Sequence, residues 1–426
     1  MATGRYKVVA LTDSDKIAKK VFEHNYPPDR RASPKYICKP IAELTPEELR
    51  EAARGRTIDV CVGGPPCTGF SQSAASKRTY EDERNHLFKK YFEIVEVLRP
   101  KALILENVPE FLILFEGRIF KELRDHLNDL NYECAVDFLN AARYGVPQSR
   151  QRVIIVAIRR DLGVKPLLPD PTHGGSEMPL FNYVTREFIE AEQELLRNPA
   201  KYEPTYDDTV MGVNSIVSVW RKRHLLNKNG YSLDGSALAH YPCQMKRGRP
   251  RYLSPIVTVE SALSDLPSLQ PGEHASRYAS PPLNDYQSAR RRGVTRLTNH
   301  KAWRHSDSMV SRLEYVSEGG NIADIPEELR PAKWYSQAYA RLHRNALSRT
   351  ITTFFHNPGS GRFTHYEQAR TLTVREAARL QSFDDRIKFN DCDSSHERLI
   401  GNAVPPLLAR AIGQQLYNDL ERLSCF

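Results

Sequence analysis

The chain has 426 residues, 40% of them hydrophobic and 27% charged, and carries a net charge of +9. That length supports two or three domains with real cores, in a composition typical of globular proteins. It argues against a membrane-spanning protein, since no apolar run reaches the length of a transmembrane helix. A secretory leader is not expected, because the N-terminus is too polar. The seven cysteines include no CxxC pair, so no metal site or disulfide framework is expected. A cytoplasmic location follows, or a nuclear one.

The predicted elements begin with "YKVVALT", a buried strand, and "DKIAKKVFEHN", a helix. "IDVCVGG", "KALILEN" and "RVIIVAI" read as further strands, with "RNHLFKKYFEIVEVL" and "GRIFKELRDHLNDL" as helices between them. This alternation predicts a parallel sheet with helices on both faces over residues 1–160. From 161 to 349 the texture turns irregular, rich in proline, glycine and isolated charges, with one plausible helix, "TREFIEAEQELLRN". Basic residues cluster here in "QMKRGRPRY" and "SARRRGVTRLTNHKAWRH", a surplus that permits a nucleic-acid partner. From 350 to 426 order returns: "SRTITTFF" as a strand, "TVREAARLQSF" as a helix with a capping box, and "PPLLARAIGQQLYNDLERL" as a long amphipathic helix opened by proline. The last segment reads as a continuation of the first domain, with the middle inserted.

Three stretches carry chemistry. "GGPPCTGFSQSA" follows a buried strand and presents Cys67 at its carboxyl end, where open α/β sheets bind ligands. A nucleophilic thiol acts as thiolate and needs a polar, partly exposed setting. "LILENVPEFL" puts Glu106 at another strand end, where it is either a helix-capping or salt-bridged acid or a proton donor to a ring nitrogen. "YGVPQSRQRVIIVAI" places Arg150 and Arg152 at alternate positions, hence on one face, as ion-pair partners or as forks for carbonyl, carboxylate or phosphate oxygens.

Pro-Pro-Cys, Glu-Asn-Val, Gln-x-Arg-x-Arg, "RTLTVREAARLQSFDD" and "IGNAVPP", in that order, resemble the cytosine-C5 DNA methyltransferase family, in particular its bacterial Dcm-like members. The resemblance covers most of the chain and is weakest from about 175 to 250. It implies a doubly wound, Rossmann-like domain dependent on S-adenosylmethionine, with an inserted irregular α+β target-recognition domain. It implies double-stranded DNA as partner, a cytoplasmic (nucleoid-associated) site of action and a role in restriction-modification. Cys67 would attack C6 of a flipped cytosine, and Glu106 would protonate N3. Arg152 would contact the O2 side, with Arg150 as its positional partner. Asn107 would order the loop around Glu106. Asp13, Pro65, Asn402 and Ala403 would lie at the cofactor. Arg84 would meet backbone phosphate. Arg247 and Arg249, in an AT-hook-like "KRGRPR", and Arg291 would contact DNA.

The match departs from the family at the N-terminus. Members open with a strand and a Phe-x-Gly-x-Gly turn; here "VVALTDSDKIAKKVFEHNYP" resembles the second motif, with Asp13 at the ribose-binding acid. The third motif's acid is replaced by Pro40 and Ile41 in "CKPIAEL". Three readings follow: a shortened form of a longer enzyme, a separate subunit that supplies the strand and turn, or "YKVVALT" as first strand with a degenerate turn. A partner-dependent DNA-binding chain without autonomous methyl transfer, and a tRNA cytosine methyltransferase, are the alternative functions.

Overall fold

In the computed structural model, the described residues are 4–27, 33–64, 87–112, 118–174, 253–389 and 395–422. The catalytic-loop candidates Pro65, Cys67 and Arg84 fall outside them, as do Arg247, Arg249 and the helix expected over "TREFIEAEQELLRN".

Short β-rich runs alternate with amphipathic helices through the first part of the chain. Strand β1 (Ala10–Thr12) leads into helix α1 (Lys16–Asn25), whose start is fixed by Asp15 accepting the Ile17 and Ala18 N–H groups. Strand β2 (Lys35–Ile37) pairs in parallel with β1, Ala10 opposite Lys35. Helix α2 (Pro46–Ala53), absent from the sequence expectations, opens with a capping box between Thr45 and Glu48. Then come β3 (Val60–Gly63), α3 (Leu87–Leu98), β4 (Ala102–Asn107), α4 (Arg118–Asp129), β5 (Tyr132–Asn140) and β6 (Gln151–Arg159).

The second sheet has the order β3-β4-β6-β5. Only β3 and β4 run parallel; β6 is antiparallel to both β4 and β5. This corrects the expectation of an all-parallel sheet. The reason is β5, an unforeseen strand that follows α4 and returns directly into β6, so that β6 alone runs opposite to the other three strands. Alternation along β4 and β6 assigns the two faces. Leu103, Leu105, Val153, Ile155 and Ala157 pack on α3 and α4, whereas Ala102, Ile154, Val156 and Ile158 face the opposite layer. That layer is supplied by the chain's end, where Leu408, Ile412 and Leu416 of the last helix complete the sandwich. Helices thus cover both faces, as the doubly wound reading requires.

The sheet is in two pieces. Among the described residues β1 pairs only with β2, and β3 only with β4. Helix α3 bridges the pieces: Phe88, Tyr91, Phe92 and Val95 pack with the second sheet, and Ile94 packs with Ile37, Leu44, Ala52 and Ala53 beside the first.

The remainder is mostly short elements: α5 (Val259–Leu263), β7 (His274–Ala275), α6 (Asp285–Arg290), β8 (His300–Lys301), α7 (Asp307–Tyr315), α8 (Val374–Leu380), α9 (Ser395–Asn402) and α10 (Pro406–Glu421). The capping box at Thr373 and Glu376 of α8 and the proline start of α10 are as expected. The strand expected over "SRTITTFF" does not form. That segment makes one isolated bridge, Ser348 to Gln148, and turns at residues 353–356; the backbone of Ile351 is taken up by the Gln148 and Arg150 side chains rather than by a neighbouring strand. One apolar cluster joins Val259, Leu263 and Leu297 to Leu342, Ile351, Phe355, Leu372, Leu380 and Ile400. The core therefore runs through residue 349 without a break.

Candidate functional site

Three strand ends meet at one edge of the second sheet. Parallel β3 and β4 bring their carboxyl ends there, and antiparallel β6 brings its beginning. Gly63 lies opposite Leu105, and Glu106 opposite Ile154. Arg152 precedes Ile154 by two residues and so shares a face with Glu106 on the adjacent strand. Its Nε reaches the Glu106 Oε1 at 2.8 Å, with only 13% and 18% of the two side chains exposed. Gly64 sits against the same carboxylate: a Cβ added there would lie 3.5 Å from the Glu106 Oε2. The strand end that leads into Pro-Pro-Cys67 is therefore packed directly beside Glu106. The adjacent Asn107 is buried and accepts the Val108 N–H through its side-chain oxygen.

Arg150 is drawn inward. It is 1% exposed, donating from Nη1 to the Ile351 carbonyl (3.2 Å) and from Nη2 to the Gly401 carbonyl (2.8 Å). Burial pushes its pKa well below that of a free guanidinium; the nearby Arg152 adds to this and Glu106 opposes it. Its position corrects the catalytic assignment: Arg150 holds backbone and does not line an open site. Two glutamines of the quoted motifs, Gln148 in Gln-x-Arg-x-Arg and Gln381 in "RTLTVREAARLQSFDD", share this task, a role the sequence pattern does not assign them. Gln148 accepts from the Ile351 N–H and donates to the Leu380 carbonyl, and Gln381 donates to the Ile400 carbonyl. Gly401 presses on the 352–353 backbone, where a Cβ would come within 2.5 Å of the Thr352 carbon and oxygen. The sequence signal for these residues is their place in the quoted motifs, Gly401 lying in "IGNAVPP". The hub fixes α9 and, at its end, Asn402 and Ala403.

Asn402 is exposed and Ala403 half-buried. Helix α9 is tied to the start of α1 by Arg398 and Asp15 at 2.6 Å. Asp13, at the carboxyl end of β1, is exposed and accepts the Asp15 N–H at 2.8 Å through one oxygen. The other oxygen has no partner among the described residues. An exposed, oriented carboxylate at a strand end, on the helix joined to α9, fits the ribose hydroxyls of a nucleoside cofactor.

Arg291 does not reach outward as its DNA-binding assignment requires. Its guanidinium donates to Asp265 (3.0 Å) and the Ser280 carbonyl (2.7 Å) and lies 3.6 Å from the Tyr278 ring centroid. Arg290 is likewise buried, paired with Asp384. Of the Arg-Arg-Arg run only Arg292 is exposed. Among the described residues no group of three His, Cys, Asp or Glu side chains could hold a metal, and no helix is long and apolar enough to cross a membrane.

These features define a doubly wound α/β protein with a carboxylate–arginine pair at the ligand edge of its sheet. The family model for C-5 cytosine-specific DNA methylase matches residues 1–418, and the chain belongs to that family. Its members use S-adenosylmethionine as methyl donor and modify cytosine in DNA. The chain is 28% identical to type II methyltransferase M1.HphI of Haemophilus parahaemolyticus, over 88% of this chain and 72% of the relative. It is 30% identical to M.AgeI of Thalassovita gelatinovora, over 88% of this chain and 87% of the relative. A prophage-encoded E. coli protein described as a DNA modification methyltransferase shares the fold at a TM-score of 0.64 and 19% identity, over 99% of this chain and 94% of that one.

Proposed function

We propose that the protein methylates C5 of a cytosine flipped out of one specific duplex sequence, that it serves a restriction-modification system, and that it works in the cytoplasm on nucleoid DNA. The observation that carries the reading is the Glu106–Arg152 pair at 2.8 Å, beside the strand end that leads into Pro-Pro-Cys67. The type II relatives support the biological role.

Cytosine C5 is a poor nucleophile until an adduct breaks the ring's aromaticity. The Cys67 thiolate adds to C6, forming the carbon–sulfur bond, and the ring electrons move toward N3. Protonated Glu106 gives its hydrogen to N3 and receives that charge. Arg152, released from the carboxylate, turns its fork to the O2 side. When bound, S-adenosylmethionine supplies an electrophilic methyl group. Asp13 would hold its ribose, and Asn402, Ala403 and Pro65 would be the other residues to contact it. Loss of the C5 proton to solvent water then expels the Cys67 thiolate, and return of the N3 proton to Glu106 leaves 5-methylcytosine and both residues as they began. The base leaves the helix stack first, since its ring atoms cannot be reached inside it. The inserted recognition domain is the part of residues 161–349 that carries Arg247 and Arg249, since Val259, Leu297 and Leu342 share the core of the C-terminal segment, and Arg84 meets phosphate.

The edges of β1 and β3 that have no strand partner among the described residues support one addition. A parallel strand between them, from a longer form of the chain or from a separate subunit, would fill both edges and bring the glycine turn for the methionine end of the cofactor.

The test uses the purified chain, labelled S-adenosylmethionine and mixed-sequence duplex DNA. Transfer to cytosine that disappears in Cys67→Ser is the expected result. Transfer that persists in that variant overturns the assignment of the nucleophile, and specific DNA binding with no cofactor binding at high concentration overturns autonomous catalysis.

A further inference from the structure

A surface cavity of about 430 Å³ lies between the β7–β8 pair and the start of α8. His274 and Lys301 stand directly opposite each other in the antiparallel register, so their side chains project from one face. Both are exposed. Glu273, one residue before, is on the alternate face and accepts the Gln270 N–H at 2.8 Å. Arg304 lies across Gly272, where a Cβ would come within 2.9 Å of the arginine Cγ; with φ at +85° the position favours glycine on backbone grounds too. Trp303 is fixed by its indole N–H, which donates to the Leu372 carbonyl at 3.0 Å, and its ring forms a wall. Asn299 also lines the cavity, but its side-chain oxygen already accepts the Phe389 N–H at 2.9 Å.

The cavity thus gathers two permanent cations and a histidine, with no carboxylate in its lining. None of the three has an ion-pair or hydrogen-bond partner among the described residues. Arg290, Arg291, Arg370, Arg375 and Arg379, by contrast, are all engaged by carboxylates or carbonyls. Unpaired cations around a recess with an aromatic wall suit an anion joined to a flat or apolar group. We infer that this cavity receives a phosphate of the DNA backbone. Lys301 and Arg304 grip the phosphate oxygens, and the Trp303 ring lies against the adjoining sugar. The inference rests on duplex DNA being the substrate. The interaction positions the duplex and carries no sequence information.

The test measures duplex binding by the full chain across a salt series, for wild type, Lys301→Ala, Arg304→Ala and the double variant, with thermal melts to verify folding. Removing one cation from a phosphate lowers the slope of log affinity against log salt by about one. The double variant is expected to lose affinity on the order of tenfold, equally for target and random sequences. A folded double variant with the wild-type slope overturns the inference. So does a cavity that binds only free phosphate: inorganic phosphate then stabilises the wild type and not the double variant, with the slope unchanged. A wild-type chain that binds no duplex overturns the underlying functional reading, and this inference with it.

Discussion

Glu106 and Arg152 meet at 2.8 Å because their strands are antiparallel and their positions are two residues out of register. In this arrangement the Glu106 carboxylate is occupied by the Arg152 guanidinium. The proposed mechanism uses Glu106 to give a hydrogen to N3 and Arg152 to reach the O2 side, so in that reading the pair opens when the base enters. Glu106→Gln keeps a hydrogen-bond donor but cannot change protonation state. It is expected to lower kcat by about 10²–10⁴-fold while duplex affinity stays within a few-fold. Single-turnover transfer alongside equilibrium binding checks this; a parallel collapse of both would point to a structural role.

Gly401→Ala should disable the site from behind. The added methyl has no room against the Thr352 and Thr353 backbone, and overpacking of this kind costs about 1–3 kcal/mol. A lower melting temperature should come with weaker cofactor binding, because α9 carries Asn402. Melting and calorimetric titration of the same preparation test the two effects together.

Asp265 is fully buried between Arg379 (3.0 Å) and Arg291 (3.0 Å), and Arg379 also pairs with Asp385 at 2.6 Å. Asp265→Asn leaves buried cations short of a carboxylate. Loss of one member of such a group costs about 3–5 kcal/mol. Urea unfolding should show the midpoint falling accordingly; a loss below about 1 kcal/mol would mean that Asp385 alone compensates both arginines.

Acid should destabilise the protein well before its carboxylates titrate. His365 is buried, stacked on Tyr366 at 4.3 Å, and its Nδ1 accepts the Glu367 and Gln368 N–H groups at 3.1 and 3.3 Å. Burial drives its pKa down to about 3, and burial also lowers His300 and His305. The unfolded chain takes up these protons near pH 6.5 and the folded chain does not. The stabilisation is therefore complete above 6.5 and lost as pH falls toward 3. His365 alone should cost about 2 kcal/mol between pH 7 and 5. Unfolding midpoints at pH 7.5, 6 and 5 measure the slope, and His365→Gln should flatten it.

Strands whose apolar residues run together, such as "KALILEN" and "RVIIVAI", are legible because burial on both faces leaves that signature. Their direction is not. "YECAVDFLN" mixes charge with apolar residues because most of this edge strand is only half-buried, and its weak pattern hides the antiparallel half of the sheet. At the site, Glu106 and Arg152 are legible from motif order. The inward turn of Arg150 and Arg291 is not, since an arginine that satisfies carbonyls or a buried aspartate looks in sequence like one that waits for phosphate. Gln148, Gln381 and Gly401 lie in the quoted motifs, but their packing on distant backbone, Gln148 on Ile351 across 203 positions, leaves no local pattern.

The divided sheet has a dynamic consequence. With no ladder between β1 and β3 among the described residues, the β1–β2 layer is held by α2 and α3 packing, by Tyr6 donating to the Gly413 carbonyl at 2.8 Å, and by Asp15 on Arg398. Side-chain anchors of this kind let a layer open locally while the rest stays folded. Amide hydrogens of residues 10–12 and 35–37 should exchange faster than those of β4 and β6, and a ligand held by Asp13 should slow them. The nucleoside end of the site then behaves as a hinged panel whose closure is part of the binding energy.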